Sequence, residues 1–197
     1  MAFETASSSD SPSLRVSLPS EKQFARLVSS RKPFGLDTTF KGAEKPGRNG
    51  VLVYRNSGIG YIHRSEIEKG TDAIDCWKVF IPRAGSGSDS FPHPILGKPF
   101  VGEPGSASSE TYMYIGPLDS EAEARNVITY ISARLFRLLV LLHKPSQDAT
   151  RSVYTFVPMQ DFSHPWTDEM LYEKYGITED EIAFIDKMIR PMDIADE

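Results

Sequence analysis

The residues best equipped for chemistry sit in three turn-like segments. The first is Ser29-Ser30-Arg31-Lys32-Pro33-Phe34-Gly35. The second is Ile81-Pro82-Arg83-Ala84-Gly85-Ser86-Gly87-Ser88-Asp89. The third is Lys144-Pro145-Ser146-Gln147-Asp148-Ala149-Thr150-Arg151-Ser152. Each mixes cations with hydroxyls and small residues. Arg and Lys neutralise phosphates, and Arg can also read guanine. Gln can pair with adenine, and Gly and Ser let a nucleic-acid backbone approach closely. The pattern predicts contact with duplex DNA through Arg31, Lys32, Arg83, Ser86, Ser88, Lys144, Gln147, Arg151 and Ser152. Arg83 and Gln147 are the candidates for base reading; Lys32, Lys144 and Arg151 are the candidates for phosphates. Turns favour the same residue types without any ligand, so composition alone leaves ordinary surface loops as the alternative.

Catalytic constellations are not found in the sequence. Cys76 is the single cysteine, and His63, His93, His143 and His164 are far apart, so no zinc-type spacing occurs. Gly85-Ser86-Gly87-Ser88 lacks the lysine of a phosphate-binding loop. No Gly-x-Ser-x-Gly nucleophile turn is present. Many nucleases place an acid two residues before a lysine to hold a metal ion and activate water. None of the ten lysines has Asp or Glu there. Asp75 and Lys78 come nearest, but a strand would put them on opposite faces. Gly58-Ile59-Gly60 and Tyr114-Ile115-Gly116 only echo a known nuclease pair, without its first tyrosine and at too long a gap. There is no Asn-Pro-Pro-Tyr methyl-transfer motif and no Gly-rich adenosylmethionine loop. The sequence therefore assigns no catalytic residue, no metal ligand and no cofactor site.

Charge is unevenly spread. The 197 residues carry a net charge of −5. Residues 160–197 hold 11 Asp and Glu against 3 Lys and Arg, whereas residues 20–64 hold 9 Lys and Arg against 3 Asp and Glu. A basic body with an acidic tail is compatible with nucleic-acid binding despite the acidic total. The hydrophobic share of 40% supports a core without staples. A lone cysteine suits a reducing compartment, and Cys76 reads as a small core residue. The first 20 residues contain no apolar run of signal-peptide length. Residues 127–142 are interrupted by Arg134 and Arg137 and fall short of the roughly 20 apolar residues of a spanning helix. These features together give the expectation of a cytoplasmic protein.

The elements that must position the loops follow from periodicity and punctuation. Residues 1–20 are expected to be a mobile lead-in. Ser20 reads as the cap of a helix over 21–28, with Phe24, Leu27 and Val28 on one face. Residues 42–50 read as a polar turn region. Strands are predicted over 51–54, 58–62, 77–82, 111–116 and 153–157. Residues 83–110, rich in glycine and proline, read as one long functional loop. A helix capped by Asp119 or Ser120 is expected to run unbroken to about His143, with Arg134 and Arg137 on its surface in salt bridges. Thr167 and Thr178 cap two short helices, the first ending at Gly176 and the second before Pro191. The expected fold is α+β: a small twisted mixed or antiparallel sheet backed by the long helix and closed by the short ones. A recognition domain over 21–160 would precede an acidic helical segment over 161–197.

Several short runs, taken in order, carry a resemblance. They are Ser29-Ser30-Arg31-Lys32-Pro33-Phe34-Gly35-Leu36, Gly58-Ile59-Gly60-Tyr61-Ile62, and Trp77-Lys78-Val79-Phe80-Ile81-Pro82-Arg83-Ala84-Gly85-Ser86-Gly87. Next come Leu96-Gly97-Lys98-Pro99-Phe100, Glu103-Pro104-Gly105-Ser106, Glu110-Thr111-Tyr112 and Ile115-Gly116-Pro117. The last are Gln147-Asp148-Ala149-Thr150, Phe156-Val157-Pro158-Met159-Gln160-Asp161-Phe162, Pro165-Trp166-Thr167-Asp168-Glu169 and Leu171-Tyr172-Glu173-Lys174-Tyr175-Gly176. Over residues 25–193 this order resembles the C-terminal region of adenine-specific DNA methylases of bacterial type II restriction–modification systems, including bifunctional cutter–methylases. The resemblance implies sequence-specific recognition of double-stranded DNA. In that family the methylase domain lies upstream, so S-adenosylmethionine and methyl transfer are expected only in a partner or upstream domain. A methylase or nuclease domain or subunit is the implied protein partner. A nuclease with an unrecognised metal site, and an interaction subunit docking through the acidic segment, stand as alternatives.

Overall fold

The computed structural model describes residues 22–85, 91–144 and 149–194. β-branched and aromatic runs become strands. β1 (Gly50–Arg55) and β2 (Gly58–His63) form an antiparallel hairpin, with Asn56 and Ser57 at its tip. β3 (Trp77–Pro82) pairs antiparallel with β4 (Phe100–Gly102) on one side and β6 (Tyr112–Leu118) on the other. β5 (Ser106–Ser108) runs parallel to β1 and completes the first sheet. The fold is α+β with two three-stranded sheets, ordered β2-β1-β5 and β4-β3-β6.

β3 explains how the layers stack. Val79 and Ile81 face one buried cluster, and Phe80 between them faces another. Side chains alternate across a strand, so β3 is covered on both sides. Phe80 meets Val51, Val53 and Ala107 of the first sheet, together with Phe34, Ile67 and Ile74. Val79 and Ile81 meet the helices through Val127, Ile131, Phe136 and Val140. Leu171, Ile185 and Ile189 of the C-terminal segment belong to this second cluster.

Several expectations from the sequence change. The segment 83–110 is not one loop: it contains β4 and β5. Ser106-Ala107-Ser108 has little intrinsic strand preference and becomes a strand because Leu52, Val53 and Tyr54 pair with it. Residues 153–157 are not a strand. A 3-10 helix over Arg151–Tyr154 takes their place, with Val153 N–H donating to Thr150 O at 3.0 Å and Thr155 N–H to Ser152 O at 3.3 Å. The N-terminal helix shrinks to a 3-10 turn, Phe24–Arg26, because Val28 bridges to Ile115 of β6; Ser20 and Glu21 lie outside the described residues.

The long helix is two helices, α1 (Glu121–Ser132) and α2 (Arg134–His143), bent by 64°. Ala133 is extended there (φ −61°, ψ 142°). The freed groups find partners: Asp168 Oδ1 accepts from Leu135 N–H at 3.1 Å, and Ser132 O accepts from Arg137 Nη2 at 3.0 Å. Arg137 is therefore buried, not a surface salt-bridge residue. Arg134 does pair at the surface, with Asp186 at 2.8 Å. The caps at Ser120, Thr167 and Thr178 form as the sequence predicts, opening α1, α3 (Asp168–Tyr175) and α4 (Glu179–Met188). Gly176 ends α3 in the left-handed region at φ 65°. Cys76 is only partly buried, its Sγ 3.3 Å from Asp72 O. Among the described residues no single helix is long and apolar enough to cross a membrane.

Candidate nucleic-acid interface

Arg83 is where the three cationic segments meet. It follows the last residue of β3 and extends the ladder to the residue before β6: its N–H donates to Thr111 O at 3.0 Å. Its Nε donates to Glu110 O at 3.3 Å. Glu110 in turn takes Arg31 Nε on its carboxylate, and its own N–H donates to Leu36 O at 2.8 Å. The first segment is stitched down further by Ser29. Its N–H donates to Tyr114 O at 2.8 Å, and its Oγ accepts from Tyr114 N–H at 2.9 Å. On the other side, Arg83 O accepts from Ala149 N–H at 2.9 Å, which brings in the third segment. The end of the β4-β3-β6 sheet thus collects residues from all three.

Each candidate side chain has a definite place. The Arg31 side chain is 62% exposed beside a Glu110 side chain only 12% exposed. Lys32 sits in the left-handed region at φ 55°, in a turn where Gly35 N–H donates to Lys32 O at 3.2 Å. Hydrogen bonds from Thr39 hold the nearby Asp37 carboxyl below its usual range, with a smaller contribution from the Lys32 charge. Lys144, just past α2, donates from Nζ to Ile95 O at 2.9 Å. Gly85 packs against the same ammonium: a Cβ added there would lie 2.6 Å from Lys144 Nζ. Arg151 is exposed on the 3-10 helix, with Nε donating to Ala25 O at 2.9 Å. Ser152 is also exposed, its Oγ 3.0 Å from Thr150 Oγ1. Ser86, Ser88 and Gln147 lie outside the described residues.

Three features escaped the sequence reading. Glu110 is a carboxylate set among the cations, and it offsets part of their charge. It is 79 residues from Arg31, so no local spacing could signal the pair. Two further cations are inside the protein and unavailable to a ligand. Lys78 is fully buried, and burial pushes its ammonium down to about 8. Burial likewise pushes Arg137 down to about 10. Finally, the polar turn region at 42–50 folds back on β2 and walls a cavity of ≈ 430 Å³. No group of three or more His, Cys, Asp or Glu side chains among the described residues could hold a metal ion.

An α+β domain with a cationic sheet end is the class that this geometry defines. Comparison with models of known families, with curated proteins and with solved structures returns no match.

Proposed function

We propose that this chain reads double-stranded DNA as the target-recognition part of a bacterial type II restriction–modification system of the adenine-methylase kind. The observation that carries the reading is the meeting of the three cationic segments at Arg83. A duplex presents phosphates on both sides of a groove, and a binder needs cations spread over one surface with a base reader between them. Hydrogen bonds tie Arg83 to Glu110, the partner of Arg31, and to Ala149, two residues before Arg151. The ordered motifs supply the family context. S-adenosylmethionine and the methyl-transfer residues belong, on this reading, to a partner or upstream domain.

Selection from a randomised duplex pool tests it. Arg83→Ala should relax the selected sequence, since a bidentate base contact is worth about 1–3 kcal/mol of discrimination. Arg151→Ala should weaken all sequences alike and lower the slope of log affinity against log salt by about one. Wild-type behaviour in both variants, or no duplex binding by the wild type at low salt, overturns the reading.

The C-terminal segment favours a second role beside the first. Phe184 is 53% exposed on the acidic helix α4, and Met170 and Tyr175 are exposed on α3. Exposed apolar side chains on acidic helices suit docking on a methylase or nuclease subunit. Removing residues 160–197 would not test this, because Leu171, Ile185 and Ile189 are core. Phe184→Glu leaves the core intact. Loss of co-purification with a methylase partner in that variant supports docking, and unchanged co-purification refutes it.

A further inference from the structure

The cavity beside β2 is built from the part of the chain that the duplex reading does not use. Lys41 to Ala43 lie against the hairpin: Ala43 N–H donates to Tyr61 O at 2.8 Å, and Tyr61 N–H to Ala43 O at 2.9 Å. The approach is close enough to require glycine. A Cβ on Gly60 would sit 2.1 Å from Lys41 O, and one on Gly42 would sit 2.7 Å from Tyr61 O. Glycine at both positions therefore lets the 40–50 segment fold over the hairpin and leave a half-open pocket of ≈ 430 Å³. That lies within the roughly 300–1,000 Å³ of small-molecule pockets.

The lining is chemically mixed in a particular way. Phe40 and Tyr61 bring aromatic rings. Tyr61 and His63, two residues apart on β2, share one face of the strand. Lys45 and Arg48 bring two cations, both exposed, and neither makes a hydrogen bond or ion pair with any described residue. The backbone N–H groups of Gly47 and Arg48 also donate to no described backbone carbonyl. Free amides and cations on one short loop are the donor set that holds a phosphate. His63 Nδ1 is engaged by Ser65, through its N–H at 3.3 Å and its Oγ at 2.7 Å. Glu66 Oε1 accepts from His63 N–H at 3.2 Å, and its second oxygen has no partner among the described residues. A carboxylate acceptor suits an exocyclic amine.

We propose that this cavity binds a single nucleotide unit, with the base against Phe40 and Tyr61 and the phosphate held by Lys45, Arg48 and the amides of the 47–48 turn. Aromatic rings take any base by its face, and the two cations take the phosphate without regard to sequence. The nucleotide can come from two sources: a free mononucleotide, or an unpaired nucleotide in a DNA strand. The proposal does not depend on the duplex reading.

Calorimetric titration of the full chain with dAMP, with inorganic phosphate and with a short single-stranded oligodeoxynucleotide tests it. The comparison proteins are a Lys45→Ala/Arg48→Ala double variant and Arg83→Ala. Both of the first two substitutions are on the exposed loop, so the fold is retained. Binding of dAMP that the double variant weakens by about tenfold or more supports the proposal with a free nucleotide as source. Binding of the oligonucleotide alone, weakened in the same way, supports it with a strand nucleotide as source. Arg83→Ala should leave either binding unchanged while impairing duplex selection, so the two readings fail separately. No binding by any probe, phosphate binding as tightly as dAMP, or an unaffected double variant overturns the proposal.

Discussion

Replacing Lys78 with methionine should change how stability depends on pH, and in a known direction. Lys78 projects from β3 toward the first sheet and is fully buried. Its Nζ donates to Cys76 O at 2.7 Å, Glu103 O at 3.1 Å, Ile74 O at 3.2 Å and Ser106 Oγ at 3.3 Å. None of these acceptors carries a charge. Burial therefore depresses the ammonium from an ordinary 10.5 to about 8. As pH rises, the folded state gives up this proton first. Between about 8 and 10.5 the unfolded chain holds a proton that the folded chain lacks, so the wild type gains stability with pH. The gain is about 1.4 kcal/mol per pH unit, reaching about 3 kcal/mol across the window. The methionine variant has nothing to titrate there. Its one clear loss is the donor to Cys76 O, because Ile74 O keeps Gly105 N–H and Glu103 O keeps Ser106 Oγ. That loss costs about 1–3 kcal/mol and is offset at pH 7 by no longer burying an ammonium. Urea unfolding of both proteins at pH 7, 8, 9 and 10 measures the difference. The buried Tyr130 and Tyr154, whose phenols burial pushes up, titrate alike in both proteins and cancel. Wild type minus variant should be small at pH 7 and rise by about 2–3 kcal/mol by pH 10. A flat difference would refute the reasoning, since it would mean that four neutral oxygens suffice to hold the ammonium at its ordinary value.

Three other tests follow from the same structure. Arg137→Ala removes the donors to Ser132 O at 3.0 Å and Arg190 O at 2.6 Å and leaves a cavity under α2. It should cost about 3–5 kcal/mol, and a urea midpoint shift equivalent to under about 1 kcal/mol would contradict the buried role. Ser120→Ala removes the Oγ that accepts from Glu123 N–H at 3.1 Å at the start of α1. A loss of about 1 kcal/mol is expected, read from thermal unfolding. The Arg134–Asp186 pair joins α2 to α4 at a partly exposed position. A double-mutant cycle there should give a coupling below about 1 kcal/mol, and a much larger value would show that the pair is better shielded from water than its exposure implies.

What could be read in the sequence was local. Short apolar runs, turn signals and strand-forming residue types marked β1, β2, β3 and β6, and hydroxyl caps marked α1, α3 and α4. What escaped was imposed by distant neighbours. Ser106-Ala107-Ser108 is a strand only because β1 lies beside it. The break at Ala133 depends on Asp168, which is 33 residues from the amide it caps. The candidate interface divides the same way. Its cations were legible as residue types in turns. Their meeting at Arg83 depends on one backbone bond to Thr111 and another from Ala149. The burial of Lys78 and Arg137 was not legible because lysine and arginine are almost never fully buried. Only the neutral oxygens around them, drawn from several segments, make burial tolerable.

Lys144 shows why positioning and contact must be separated at the cationic end. Ile95 is in the left-handed region at φ 65°, where Leu96 N–H donates to Pro94 O at 2.8 Å across a three-residue turn. A β-branched residue in that conformation carries strain of about 1–3 kcal/mol, so the surroundings must hold it. They do so from α2: Arg137 Nη1 reaches Pro94 O at 3.4 Å, and Lys144 Nζ reaches Ile95 O at 2.9 Å. Lys144 therefore has a structural task whether or not it meets a phosphate. On the proposed duplex reading, its truncation would weaken DNA binding either by removing a charge or by releasing the 94–96 turn beside Gly85. Salt dependence separates the two: a lost phosphate contact lowers the salt slope by about one, whereas a displaced turn weakens binding and leaves that slope nearly unchanged. Arg151, exposed on its 3-10 helix and bonded to Ala25 O through Nε alone among its described contacts, is for that reason the cleaner probe of phosphate contact.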